Sequence, residues 1–310
     1  MYKFDYQVFQ DRRNRFLTEL DGKAAIIPGA NLVMHHSDCE YPFRQDSEFW
    51  YLTGFDEPNA IALFLSHKPK GERFILFVNA KEAISEVWQG FRWGLEGAES
   101  IFKADISHDI NEFEKFLPMY LEGADEIVFP VGKQSKLDAI VLNLWSDQLQ
   151  SSSRLGFAPK ALKSPGLFLN NMRLVKSEYE INRMREAVQI SAEAHEFVRQ
   201  LSSSKTNERQ IQGLIEGFFL DKGARGPAYN SIVASGDNAC VLHYTENNSE
   251  LKKGDLLLID AGCSLVDYYN GDITRTFPIG GKFTGEQKAI YEIVLEAQKN
   301  AINRVITGVS

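Results

Sequence analysis

Cysteine is scarce in this chain of 310 residues. The three cysteines, Cys39, Cys240 and Cys263, are widely spaced and form no Cys-x-x-Cys pair. An odd number of scattered thiols is typical of a reducing compartment, so the sequence predicts a cytoplasmic protein without a disulfide framework. We expect the cysteines to be small apolar fillers at or near buried strands rather than catalytic thiols.

Long apolar runs and an excess of positive charge are also missing. No stretch of 18 apolar residues exists, and the amino terminus lacks the apolar core of a signal peptide, so no membrane partner is expected. The net charge of −8 argues against nucleic acid as a partner. The sequence also lacks the Gly-x-Ser-x-Gly, P-loop, His-Glu-x-x-His and Gly-x-Gly-x-x-Gly motifs.

Short apolar runs alternate with helical patterns over the first half of the chain, which indicates an α/β domain with a mixed sheet flanked by helices. Lys23–Pro28, Phe49–Phe55 and Ala60–Ser66 are among the predicted strands. Ser164-Pro-Gly166 is a loop signal, so we predict domains at residues 1–170 and 171–310. In the second domain, predicted helices begin at capping boxes on Ser177 and Thr284 and enclose a β-rich stretch.

Two aspartates in that stretch are candidate metal ligands. Asp260 ends the apolar run that begins at Leu256, and period-2 geometry places Asp272 on one face with Thr274 and Thr276, so pairing of the two segments would bring both carboxylates together. A hard divalent cation would relieve their mutual repulsion. The alternative, that Asp260 caps a turn and Asp272 pairs with Arg275, remains open at the level of spacing.

The histidines give weaker signals. His243 follows a short apolar run, where a hydrogen-bonded structural histidine is a reasonable alternative to a functional one. His35 and His36 are adjacent, and adjacent side chains of a regular strand point in opposite directions. We therefore expect this pair to be a poor chelate that serves surface or partner contacts.

Four segments taken together resemble the aminopeptidase P family. Ser37–Phe55 resembles the signature of that family's amino-terminal domain, and Tyr229–Tyr244 is similar to a substrate-side strand and loop of its catalytic domain. Asp260–Cys263 and Gly271–Pro278 resemble its first two metal-ligand segments. These motifs are long, follow the family order and span almost the whole chain.

The resemblance implies a creatinase-like amino-terminal domain followed by the first half of an α+β pita-bread metallopeptidase domain. It also implies removal of the residue that precedes proline at the amino terminus of peptides, with two divalent ions, usually manganese. By this resemblance Asp260 and Asp272 are metal ligands, and His243 is a catalytic, substrate-contacting residue. Tyr229 and Trp88 are implied to bind substrate, and Trp88 resembles a residue that some members, as homo-oligomers, lend to the active site of a neighbouring subunit.

The sequence departs from the family pattern in two ways. Asp260 and Asp272 are twelve residues apart, one more than is common in the family. The other family ligands, a histidine and two glutamates, lie further downstream, and His243 is the last histidine of these 310 residues. We therefore expect a weak or empty metal site and an inactive, incomplete part of the enzyme. The alternatives are a prolidase-type dipeptidase and a non-catalytic oligomerisation or binding protein.

Overall fold

The computed structural model describes residues 5–309, apart from the side chains at positions 153, 155 and 204. Its internal contacts divide the chain into two units, and the division falls between Val175 and Lys176. This lies five residues after the sequence-predicted boundary at 170. Among the described residues, no helix is both long and apolar enough to cross a membrane.

The first unit contains seven α-helices and eight strands within the described residues. In chain order they are α1 (Tyr6–Leu20), β1 (Ala24–Pro28), β2 (Met34–His36), β3 (Cys39–Glu40), α2 (Ser47–Thr53), β4 (Ile61–Leu65), β5 (Phe74–Val78), α3 (Ala83–Gln89), α4 (Gly94–Ser100), β6 (Ile106–Asp109), α5 (Phe113–Leu121), β7 (Ile127–Val128), α6 (Ser135–Leu155), β8 (Leu162–Lys163) and α7 (Gly166–Leu174).

Six of these strands form one mixed sheet in the order β6-β5-β4-β1-β7-β8. β1, β4 and β5 pair antiparallel to each other in turn, and the outer pairs are parallel. Both faces of the sheet are covered, because Ala25 and Ile27 enter one apolar core while Ala24 and Ile26 enter another. The predicted α/β domain with a mixed sheet is confirmed.

The segment Phe49–Phe55 is a helix and not the strand that its aromatic residues predict. Asp46 accepts hydrogen bonds from the backbone N–H groups of Glu48 and Phe49, and Gly54 ends α2 with a φ of 66°. An N-cap aspartate and a glycine in the left-handed region favour a helix. These two end signals outweigh the β preference of the aromatic residues between them.

The second unit contains three α-helices and five strands within the described residues. They are α8 (Glu178–Leu201), α9 (Glu208–Asp221), β9 (Gly226–Pro227), β10 (Ile232–Ser235), β11 (Leu256–Asp260), β12 (Cys263–Ser264), β13 (Thr274–Pro278) and α10 (Gly285–Asn303). β11 is the middle strand of an antiparallel sheet with β10 and β13. α8 and α10 begin at the predicted capping boxes.

One apolar core holds this unit together. Along β11 the residues alternate between buried and half-buried, and buried Leu257 and Ile259 join a core that includes apolar residues of α8 and α9. Leu256, Leu258 and Asp260 belong to the opposite, half-buried face. The sheet therefore carries Asp260 on the face that this core does not cover.

Candidate metal centre

Asp260 and Asp272 come together at the open face of the three-stranded sheet. Asp260 is the last residue of β11 and lies opposite Thr274, the first residue of β13. Asp272 precedes Thr274 by two residues, so it is a diagonal neighbour of Asp260 on the same face. Asp272 thus lies just outside the regular strand β13.

The hydroxyl of Tyr229 joins the two carboxylates. Its oxygen lies 2.6 Å from Oδ1 of Asp260 and 2.9 Å from Oδ1 of Asp272. The two carboxylate oxygens are therefore separated by no more than the sum of these distances, about 5.5 Å. The two carboxylates therefore converge on one face, as pairing of their segments predicts, at a separation compatible with a dinuclear site.

Tyr229 is partly buried, and it is a donor to both carboxylates. Burial is the largest cause that raises the pKa of its hydroxyl, and the hydrogen bonds to Asp260 and Asp272 raise it further. Tyr229 therefore keeps its proton at neutral pH. A neutral donor between two anions weakens their repulsion, although one hydroxyl proton cannot serve both oxygens fully.

Two glycines allow the chain segments to approach each other at this place. A Cβ on Gly262 would lie 1.9 Å from the carbonyl oxygen of Gly271, and one on Gly271 would lie 2.3 Å from Oγ of Ser191. Ser191 itself accepts a hydrogen bond from the backbone N–H of Cys263. Side chains at these glycines would push the aspartate-bearing segments apart or away from α8.

The loop between the two aspartates is anchored to α8. The carboxylate of Asp267 is almost fully buried, and it accepts hydrogen bonds from Nε and Nη2 of Arg183 at 2.6 and 2.9 Å and from the Tyr179 hydroxyl. Ser264 and Asn270 form a bridge at the base of the loop. The strands β11 and β13 thus pair despite the longer connection, and the turn lies at Asp267.

A buried histidine, His195 of α8, supports the backbone next to Asp260. Its Nε2 lies 2.9 Å from the carbonyl oxygen of Ala261, which can only accept, so Nε2 carries the proton. Burial is the main cause that lowers the pKa of His195. His195 was not predicted from the sequence, although helical periodicity places it on the buried face of α8 with Ser191 and Ala194.

Tyr244 anchors the segment that carries His243. The side chain of His243 is exposed. The hydroxyl of Tyr244 donates to Oε2 of Glu208, which is fully buried. Burial alone would raise the pKa of Glu208, but hydrogen bonds from Ser249, Ser235 and Asn238 together hold the pKa below its usual value.

Trp88 lies in the first unit, on α3, and its side chain is 84% exposed. Among the three cysteines only Cys263 is the buried filler that the sequence predicts, whereas Cys39 and Cys240 are exposed.

For Asp272 the alternative pairing with Arg275 is not observed, since no ion pair joins them within residues 5–309. Nη1 of Arg275 donates instead to the carbonyl oxygen of Thr274.

The donor set suits a hard divalent cation but does not complete a site for one. Carboxylate oxygens are preferred by manganese, magnesium and calcium, and two aspartates supply only part of the coordination that such ions require. Among the described residues, no third histidine, cysteine, aspartate or glutamate forms a three-ligand group with Asp260 and Asp272. The residues present therefore fit one side of a metal centre.

Comparisons with known proteins agree with this architecture. Residues 9–129 match the aminopeptidase P, N-terminal domain, and residues 182–310 match metallopeptidase family M24. The Xaa-Pro aminopeptidase of Haemophilus influenzae is 41% identical over 99% of this chain and 69% of its own length. The Xaa-Pro aminopeptidase of Escherichia coli is 38% identical over 100% of this chain and 70% of its own length. The chain belongs to the aminopeptidase P family.

A solved structure supports the same assignment. The structure of the Pseudomonas aeruginosa aminopeptidase PepP superposes with a TM-score of 0.89 at 37% identity and covers 96% of this chain and 67% of its own. Membership of the aminopeptidase P family confirms the predicted sequence of folds, an amino-terminal domain followed by a pita-bread metallopeptidase domain. The relatives favour neither the dipeptidase nor the non-catalytic alternative.

Proposed function

We propose that this chain provides the amino-terminal domain and part of the metal site of an Xaa-Pro aminopeptidase, which hydrolyses the bond between an amino-terminal residue and a following proline. The observation that carries the proposal is the convergence of Asp260 and Asp272 on the Tyr229 hydroxyl. It occurs in a chain whose relatives include Xaa-Pro aminopeptidases. Two carboxylates that lie close together on the uncovered face of a sheet can bind a cation.

In this proposal Asp260 and Asp272 hold divalent metal, most suitably manganese. Bound divalent metal would supply a nucleophilic hydroxide at neutral pH and polarise the scissile carbonyl. Tyr229 is a positioning residue, because its hydroxyl fixes the rotamers of both carboxylates at a separation below about 5.5 Å. The loop anchored by Asp267 and the backbone supported by His195 keep the two segments in register.

His243 is proposed to contact the substrate and to stabilise negative charge on the carbonyl oxygen. The exposure of its side chain is compatible with a role toward a ligand, and Tyr244 next to it is fixed by the buried Glu208. Trp88 is proposed to contact a second subunit of a homo-oligomer. α3 has no buried residue, and it exposes Ile84 and Val87 together with Trp88 to the extent of 77, 82 and 84%.

We propose that residues 1–310 alone have low activity, because these residues do not include the histidine and glutamate ligands that the family resemblance implies. A cytoplasmic location is proposed as well. The hybrid needed for a test joins residues 1–310 to the segment that follows the matched region in the Haemophilus influenzae relative. Hydrolysis of a peptide with proline in second position is then measured with manganese for the hybrid and for the unextended chain.

We expect manganese-dependent hydrolysis by the hybrid and negligible hydrolysis by residues 1–310. Asp260→Asn and Asp272→Asn should each reduce the activity of the hybrid at least about a hundredfold. Asp221→Asn at the exposed end of α9 is the matched control and should leave the activity unchanged. Full activity of either aspartate variant at the site would contradict the proposal.

A further inference from the structure

A short hairpin in the first unit brings three possible metal ligands together. β2 and β3 form a sheet of their own, with His36 directly opposite Cys39 across the two-residue turn Ser37-Asp38. Ser37 adopts a φ of 42°, in the left-handed region that two-residue hairpin turns use at their first central position. Opposite residues of a hairpin project from the same side, so the His36 ring and the Cys39 thiol are neighbours.

A register irregularity brings His35 to the same place. Met34 pairs with Glu40 and His36 pairs with Cys39, so β2 contains one residue more than β3 between these two pairs. Such a bulge redirects a side chain that would otherwise point to the opposite face. The expectation that adjacent histidines make a poor chelate assumed a regular strand, and β2 is not regular at His35.

The resulting cluster is compact and accessible. Possible ligand atoms of His35, His36 and Cys39 all lie within 4.8 Å of one another, and all three residues are exposed. Ligands of a tetrahedral zinc ion lie about 3.5 Å from each other, given its bond lengths. Small rotations of these exposed side chains would bring the ligand atoms to the shorter separation that zinc requires. The His35 ring also packs edge-on against Tyr41, with ring centroids 4.5 Å apart, which limits its freedom.

The chemistry of these donors differs from that of the aspartate pair. A thiolate and two imidazoles favour zinc and other borderline or soft transition metals, whereas two carboxylates favour harder ions such as manganese. Three protein ligands leave a fourth tetrahedral position for water or another small ligand. A two-stranded hairpin is marginally stable by itself, so a metal ion across its end would also stabilise it.

We propose that His35, His36 and Cys39 form a transition-metal site of the zinc class in the hairpin β2–β3. The site goes beyond the proposed peptidase function, since its ligands belong to one hairpin of the first unit and include neither aspartate. The metal binds one thiolate and two neutral imidazoles, and binding at neutral pH releases the thiol proton.

The test uses the 310-residue chain, kept reduced, with Asp260→Asn and Asp272→Asn in the background so that the aspartate pair cannot contribute. Zinc(II) is titrated against a chromophoric chelator, and cobalt(II) serves as a spectroscopic probe. We expect one zinc per chain and a sulfur-to-cobalt charge-transfer band. Cys39→Ser should abolish the band and weaken zinc binding at least about tenfold, and His35→Ala and His36→Ala should each weaken it similarly.

Cys240→Ser is the matched control, because Cys240 is an exposed cysteine outside the cluster. This variant should retain the band and the zinc affinity. The proposal is overturned if Cys39→Ser binds zinc as tightly as the parent chain, or if cobalt binds without the charge-transfer band. It is also overturned if one metal ion is shared by two chains. Circular dichroism checks that each variant keeps the parent fold.

Discussion

The two units use their sheets differently. In the first unit the six-stranded sheet is covered on both faces, and every residue of β1, β4 and β5 is buried. In the second unit β11 alternates between buried and half-buried residues, and its single apolar core covers one face of the sheet. The candidate metal ligands lie on the other face. A fully covered sheet provides stability, whereas a half-covered one leaves room for chemistry.

The helices show the same contrast. α1 buries five residues, including Phe9, Phe16 and Leu20, in the first unit. α10 has 19 residues and buries none of them, although Ile290, Ile293 and Val294 form an apolar stripe that is more than 60% exposed at each position. The stability of a helix in a protein comes mainly from the packing of such a stripe. The helix α10 is therefore expected to be less stable than α1.

Hydrogen exchange should show the largest difference between the units. Amides of α10 are expected to open with a free energy of about 0–2 kcal/mol, and amides of α1 with a value near the global stability, about 5–15 kcal/mol. Native-state exchange measured by mass spectrometry checks this at low protein concentration. Equal protection of α1 and α10 would show that the apolar stripe of α10 is covered in solution.

Gly262→Ala should disrupt the second unit and leave the first intact. The new Cβ would meet the Gly271 carbonyl oxygen at 1.9 Å, and backbone cannot yield as a flexible side chain does. We expect a loss of about 3 kcal/mol or more from the free energy of unfolding of this unit. Gly213→Ala is the matched control.

Gly213 is exposed in the middle of α9 with no atom near the new Cβ, so alanine there should stabilise the helix by about 0.8–1 kcal/mol. Denaturant titration followed by hydrogen exchange of each unit distinguishes the two variants. A stable second unit in the Gly262→Ala chain would contradict the close approach of the two segments.

Glu208→Gln should destabilise the second unit by about 1–3 kcal/mol, since an amide nitrogen would replace an oxygen that faces only donors. The lowered pKa of Glu208 also sets a pH dependence. Its contribution is complete above the unfolded-state value of about 4.3 and is lost as pH falls through the lower folded-state value. Urea unfolding of the second unit at neutral and acidic pH measures this.

The Glu208→Gln chain should lose less stability on acidification than the parent chain does. Glu193→Gln on the exposed side of α8 is the control, and it should keep the pH dependence of the parent. An unchanged pH dependence in the Glu208→Gln chain would show that the hydrogen bonds to this carboxylate do not favour its charged form.

The first unit should respond to pH in the opposite direction. Burial raises the pKa of Glu57 to about 7, against a hydrogen bond from the Trp93 backbone that lowers it. A raised carboxyl pKa means that the folded state binds the proton more tightly. Stability from this group is therefore present below the unfolded value and is lost as pH rises toward and through about 7.

Glu57→Gln should remove this loss of stability between mildly acidic and mildly alkaline pH. All four tryptophans, Trp50, Trp88, Trp93 and Trp145, belong to the first unit, so tryptophan fluorescence reports its unfolding. Glu96→Gln, at an exposed position of α4, is the control. A parent chain that becomes more stable as pH rises over this range would contradict the assignment.

Local periodicity predicted the α/β pattern of the first unit and allowed the aspartates to converge, and the family resemblance then favoured their convergence over the alternative. The period-2 alternation around Asp272 and the apolar run before Asp260 are visible in the sequence alone. The geometry of the hairpin at His35 was not, since a bulge depends on the register between two strands. Asp267, His195 and Glu208 escaped prediction for a related reason, because their partners are distant in the chain.

Manganese binding by the 310-residue chain tests the central claim, that Asp260 and Asp272 form one metal site, most directly. Loss of the free manganese(II) signal in electron paramagnetic resonance measures binding to the parent chain, to Asp260→Asn, to Asp272→Asn and to the control Asp221→Asn. We predict weak binding by the parent and the control, and at least about a tenfold loss of affinity in either aspartate variant. Equal manganese affinity of the parent chain and both aspartate variants would contradict the account.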